Sequence, residues 1–203
     1  MELYMGVEGI HRETHTSTIK IGRVLIKTTV TDKNSDMDCL VKAFLSNIKN
    51  RKKIIGLDTE RAQRSSGDKN ATVLLQLCDG DHCLIVQLPP CDERFPSLFN
   101  FLNLPDFTFV GVGIQNTLRK LESEFGLTCK NAFEVGPGTW RNLKVSADEK
   151  AWIHNIVLTH KPSSPVFDDW GAYLLNKDQI TLAASNAHFA FRMGKLVLES
   201  EAV

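Results

Sequence analysis

From Ser17 the stretch STIKIGRVLIKTTVT alternates apolar and polar positions around a single glycine, and this period of two predicts a β-hairpin. A helix is predicted next, with Ser35 or Asp36 as N-cap and Leu40, Val41, Phe44, Leu45 and Ile48 on its buried stripe. The run Lys53-Ile54-Ile55-Gly56-Leu57-Asp58-Thr59-Glu60 reads as a strand that stays apolar until it meets two carboxylates. Residues 71–88 predict a second hairpin, ATVLLQLC and HCLIVQL around the turn Asp79-Gly80-Asp81, ended by Pro89-Pro90. A helix over 95–102, a strand over 107–113 and a helix over 117–125 follow, the last stopped by Gly126. A short strand is expected near 131–135 and a helix in SADEKAWIHNIVL. One long helix is expected over 177–198. Strands come first and helices then interleave with a strand, an order that predicts an α/β fold with a mixed sheet flanked by helices.

Composition adds little to that picture. The chain has 203 residues, 42% of them hydrophobic, with 24 basic and 24 acidic side chains and a formal net charge of zero. No global field favours a polyanion, so contact with nucleic acid requires a local arrangement of charge. Residues 1–15 read as a polar arm and 16–203 as one domain, with no internal repeat or linker. No apolar run approaches the ~20 residues that span a bilayer, and the polar, acidic start is unlike a signal or transit peptide. The expectation is a soluble cytoplasmic or nuclear protein. Five scattered cysteines (Cys39, Cys78, Cys83, Cys91, Cys129) contain no CxxC pair, which argues for reduced thiols rather than a disulfide framework or zinc site. Cys78 and Cys83 nevertheless flank a turn and could face each other across a hairpin.

Asp58 and Glu60 are two apart on a strand, so both carboxylates project from one face. Like charges at one buried point raise each other's cost unless a cation joins them, and a hard dication such as Mg2+ would do so. The alternative is that Glu60 has left the sheet and is solvated. On the C-terminal helix, Leu182 and Asn186 are four apart and share a face, as any core helix would show. Small residues Ala183, Ala184, Ser185 and Ala187 would let that helix approach another backbone closely. The Gly111-x-Gly113 pair lacks a third glycine at dinucleotide-binding spacing, which sets a Rossmann reading aside.

In order, Ile54-Ile55-Gly56-Leu57-Asp58-Thr59-Glu60, the paired runs VLLQLC and CLIVQL, FVGVGI, and DW followed by NKDQITLAASNA resemble the DEDD 3′–5′ exonucleases. The likeness runs over about 16–198 and includes the opening IKTTVTD. It is strongest to the plant Werner-syndrome-exonuclease-like proteins, and the small plant RISC-interacting clearing exoribonucleases are related. The resemblance implies a ribonuclease H-like fold and hydrolysis of single-stranded ends by two dications, held by four carboxylates, with a tyrosine or histidine orienting the water. By that likeness Asp58 and Glu60 fall on the first two carboxylates. The third falls on Thr117, the fourth on Asn186, and the tyrosine on Leu182. With three of five groups replaced, at most one weakly bound Mg2+ or Mn2+ is expected, on Asp58 and Glu60. His188, two residues past Asn186, is the one nearby substitute base, although ~200° around the helix.

Between residues 49 and 69 seven basic side chains stand against three acidic ones. The run 49–53 lies about 16 Å of strand before Asp58. Arg61, Arg64 and Lys69 follow the carboxylates and are the candidates for phosphate contact. The expected partner is single-stranded RNA or DNA, RNA favoured. The resemblance also implies a homo-oligomer, a hexamer in the small plant exoribonucleases, with Trp140, Trp152 and Phe167 as candidate contacts. Two other classes remain beside a weak exonuclease: a non-catalytic single-strand binder and an assembly subunit.

Overall fold

The computed structural model describes residues 12–62, 70–89, 94–140 and 169–200. The first hairpin forms from β1 (His15–Ile21) and β2 (Val24–Thr31), which pair antiparallel through a turn at Gly22, whose φ of 59° suits glycine. Helix α1 spans Asn34–Ser46. Its N-cap is Lys33, with no side-chain cap bond, rather than Ser35 or Asp36. The buried stripe is Met37, Val41 and Phe44, while Leu45 is half exposed and Ile48 is 88% exposed. Residues 37, 41 and 44 share one face at i, i+4 and i+7, Leu45 lies about 100° round from Phe44, and Ile48 lies beyond the helix end, so it has no stripe to join.

Strand β3 (Ile54–Ala62) is followed by the hairpin β4 (Ala71–Cys78) and β5 (His82–Gln87), then α2 (Pro96–Leu102) and β6 (Thr108–Gly111). Helix α3 (Ile114–Phe125) begins three residues before the predicted start and ends at Gly126 in the left-handed region. Strand β7 (Ala132–Glu134), the four-residue α4 (Pro137–Trp140) and the long α5 (Lys177–Ser200) complete the described elements. The predicted helix in 146–158 lies outside the described residues.

The strands form one mixed sheet in the order β1-β2-β5-β4-β3-β6-β7. Pairs β2/β5, β3/β6 and β6/β7 are parallel, and the others antiparallel. Alternation along β3 and β4 sends Ile55, Leu57, Leu75 and Leu77 into a cluster with Phe44, Phe101 and Phe109 from α1, α2 and β6. Alternate residues meet α5, whose Ala183, Ala184 and Ala187 pack against Leu74, Cys78 and Cys83.

The contact between α5 and β3 is unusually close. A Cβ on Gly56 would lie 2.0 Å from the Ala187 carbonyl oxygen and 2.5 Å from the Phe191 amide nitrogen. Only a glycine on the strand, facing the small side of the helix, permits that approach. A second close approach brings Gly194 onto Val110 of β6. These two glycines set the height of α5 above the sheet and carry its polar residues down to β3.

Candidate active site at the junction of β3 and α5

Glu60 remains within β3, paired with Leu74, and the ladder shifts register only after it, between Glu60 and Arg61. Asp58 pairs with Gln76. By the alternation that puts Gly56 under α5, Asp58 and Glu60 face the same helix. Both are half-buried. From α5, buried Asn186 donates its side-chain N–H to Glu60 Oε1 at 3.1 Å.

Burial pushes the Glu60 carboxyl up, the neighbouring Asp58 charge pushes it further, and the Asn186 hydrogen bond pulls it partly back. The result is about 8, so Glu60 is largely protonated at neutral pH without a cation. Asn186 Oδ1 is buried without a hydrogen-bond partner among the described residues.

Leu182, one turn before Asn186, packs against the apolar cluster beneath α5 and can neither orient nor deprotonate a water. Thr117 is half-buried in the first turn of α3, its backbone N–H bonded to the Gly113 carbonyl. His188 is buried, with Nδ1 3.9 Å from Cys78 Sγ, on the β4 side of the helix rather than over Glu60. The structure therefore brings Asp58, Glu60 and Asn186 together and directs His188 to a thiol.

Arg61 is engaged locally. Its guanidinium donates to Glu124 Oε1 at 2.8 Å, to Thr72 Oγ1 at 2.6 Å and to the Asn70 carbonyl. Glu124 Oε2 also accepts the Thr72 backbone N–H at 2.7 Å. Burial pushes Glu124 up, but Arg61 and Thr72 outweigh it and hold its carboxyl below the ordinary range. Arg64 and Lys69 lie outside the described residues.

The sequence reading passes over Gln76. It is fully buried opposite Asp58, and neither of its amide atoms has a hydrogen-bond partner among the described residues. The available signal was one polar residue at a β3-facing register inside the apolar run ATVLLQLC. An unanswered buried amide costs about 1–3 kcal/mol, so Gln76 is an expensive neighbour for the carboxylates.

The donor set decides what the site can hold. Among the described residues no group of three or more His, Cys, Asp or Glu side chains is placed to grip a metal ion. Two carboxylates, one of them engaged by an amide N–H, do not fit a pair of dications. Among the described residues, Asp58 and Glu60, once it gives up its proton, are the oxygen groups that a single dication would find here.

With this fold and this strand–helix site, the chain belongs to the 3′–5′ exonuclease family, DEDD type, which it matches over residues 33–196. Among solved structures, the catalytic core of RRP6 from Trypanosoma brucei superposes with a TM-score of 0.65 at 19% identity, covering 93% of this chain and 51% of that one. Escherichia coli RNase D, an exoribonuclease involved in structured RNA processing, gives 0.62 at 20% identity, over 85% of this chain and 45% of its own. Brucella melitensis NrnC with bound Mg2+ gives 0.55 at 20% identity, over 77% and 79%. These likenesses establish the ribonuclease H-like exonuclease fold. The chain spans about half the length of the RNase D and RRP6 chains it resembles. A search of curated protein sequences found no match. No described helix is long and apolar enough to cross a membrane.

Proposed function

We propose that this chain acts on the 3′ ends of single-stranded nucleic acid, RNA favoured, through a degenerate exonuclease centre with only residual divalent-metal-dependent hydrolysis. The observation that carries this reading is the Asn186 N–H on Glu60 Oε1, a donor where the family resemblance implies a fourth carboxylate. A bound Mg2+ or Mn2+ would acidify an attacking water. The chain's own part is to hold Asp58 and Glu60 on one strand face and to keep Leu182 and the α5 alanines dry behind them. NrnC, a neighbour in fold, carries Mg2+, which supports the choice of ion. The opening IKTTVTD supports placement near the Werner-exonuclease-like group, and with it a homo-oligomer, a hexamer, that light scattering would read as six chain masses.

A second reading, a non-catalytic single-strand binder or assembly subunit, is favoured by the absence, among the described residues, of a third His, Cys, Asp or Glu placed with Asp58 and Glu60. One experiment separates them. A 5′-labelled single-stranded RNA is incubated with the full chain in Mg2+, Mn2+ or EDTA, and binding is measured in parallel. Slow shortening from the 3′ end that disappears in Asp58→Ala supports the first reading. Binding in EDTA with no shortening in either metal supports the second. Neither binding nor shortening sinks both nucleic-acid readings and leaves the assembly role.

A further inference from the structure

The end of the β4–β5 hairpin holds a group that the exonuclease reading does not use. Asp79 organises the turn: its buried carboxylate accepts the backbone N–H groups of Asp81 at 3.0 Å and His82 at 2.7 Å, and the Asn47 side-chain N–H at 2.8 Å. Its own N–H donates to the His82 carbonyl at 3.1 Å. Residues 79 and 82 therefore carry a ladder bond, and the next pair in register, Cys78 and Cys83, is non-hydrogen-bonded. Cα atoms in such a pair stand ~4.5 Å apart, within the ~4.4–6.8 Å that a disulfide accepts. Both thiols point to the α5 face and are fully buried in the same cluster.

Three groups converge on the Cys78 sulfur: the Cys83 thiol, the Gly80 N–H, which donates at 3.4 Å, and the His188 ring, whose Nδ1 lies at 3.9 Å. Burial pushes the Cys78 thiol up, but these neighbours outweigh it and bring it below the ordinary thiol range. Cys83 moves the opposite way, raised by its bond to Cys78 and by burial. One sulfur is thus arranged to be a thiolate and the other to keep its proton. A cavity of about 330 Å³, lined by Asp79, Gly80, His188 and Phe191 among others, reaches the side of the turn and the histidine. The Phe191 ring packs on that glycine, so an oxidant reaches the sulfurs from this cavity past Gly80, Phe191 and the imidazole.

We propose that Cys78 and Cys83 are an oxidisable dithiol, with Cys78 the attacking thiolate, Cys83 the resolving thiol and His188 the group that positions and stabilises the thiolate. With a hydroperoxide as oxidant, the Cys78 sulfur attacks one peroxide oxygen and the O–O bond breaks. Cys78 becomes a sulfenic acid, and the other oxygen leaves as hydroxide, or as alkoxide from an organic peroxide. The Cys83 sulfur then attacks the Cys78 sulfur, its proton goes to the departing hydroxyl, and water leaves as the disulfide forms. Each turnover consumes two thiols and one peroxide.

The test uses the full reduced chain and one equivalent of hydrogen peroxide at pH 7. Free thiols are then alkylated under denaturing conditions, and the chain is cleaved at Asp79 and Asp81, which separates the two cysteines. The expected result is that the fragments bearing Cys78 and Cys83 stay linked, with two hydrogens lost, and part on addition of dithiothreitol. In Cys83→Ser, dimedone should capture a sulfenic acid at Cys78 instead. In His188→Gln, oxidation at pH 7 should slow by about 10-fold as the thiolate fraction falls, and the difference should shrink at alkaline pH, which a merely structural role would not produce. The wild-type measurement stands even where a variant fails to fold. Complete alkylation of Cys78 and Cys83 after treatment that oxidises the exposed Cys39 overturns the proposal, as does a disulfide that joins Cys78 to a cysteine other than Cys83.

Discussion

Where α1, α2 and α3 cover the sheet, Ile55, Leu57, Leu75 and Leu77 join an apolar cluster, and Phe101 stacks on Phe44 at 5.5 Å and meets Phe109 edge-on at 5.3 Å. Where α5 covers it, the alternate residues of the same two strands include Asp58, Glu60, Gln76 and Cys78. These face Asn186 and His188 across a helix brought down onto Gly56. One face stabilises by filling volume with carbon. The other holds a protonated carboxyl, an unanswered amide and a polarised thiol, each costly to bury. The difference teaches that both sides of the sheet bury apolar clusters, while the polar chemistry is concentrated on the side that α5 covers.

Substitutions can break that comparison, beginning with the largest effect. Phe101→Ala removes a fully buried ring with three aromatic neighbours and should cost about 3–5 kcal/mol in denaturant unfolding. A loss as small as a surface substitution gives would mean that the aromatic cluster on the α1–α3 face is not tightly packed.

On the opposite face the effect should depend on pH and carry the other sign. Glu60 has a folded value of about 8 against 4.5 unfolded. Between those values the native state holds the extra proton, so stability falls as pH rises from about 4.5 and levels off above about 8. Glu60→Gln removes that cost. In EDTA the variant should match the wild type near pH 4 and exceed it near pH 9, by something on the order of 2–4 kcal/mol. Equal pH profiles would show that Glu60 is ionised in the folded chain.

Gly56→Ala sharpens the geometric side, because its Cβ meets backbone of α5 rather than a movable side chain. A destabilisation of about 1–3 kcal/mol is expected. The lift of α5 should also lower the Glu60 pH midpoint measured by carboxyl NMR, as water reaches the site. The smallest effect belongs to Arg61→Ala. Its ion pair with Glu124 is about a quarter exposed on each side, so the loss should be about 1 kcal/mol or less, and smaller at high salt.

The first hairpin was legible from its period of two, whereas β4 and β5, buried on both faces, were legible as apolar runs on either side of the Asp79-Gly80-Asp81 turn. Helix starts were less legible. Lys33 caps α1 without a side-chain bond, and α3 opens at Ile114 with a left-handed Gly113 before it. Neither carries a capping residue that pattern alone could find. Asp58 and Glu60 could be placed on one face from their spacing, and Asn186 and Leu182 on one helix face from theirs. What the sequence by itself determined is the set of faces, since side-chain direction follows from local periodicity. Which faces meet was decided only in the tertiary structure. Gly56 under Ala187 fixes how close α5 comes. That distance joins Asn186 to Glu60 and His188 to Cys78, and leaves Gln76 buried beside Asp58, because packing between elements far apart in the chain is set by volumes and not by local pattern.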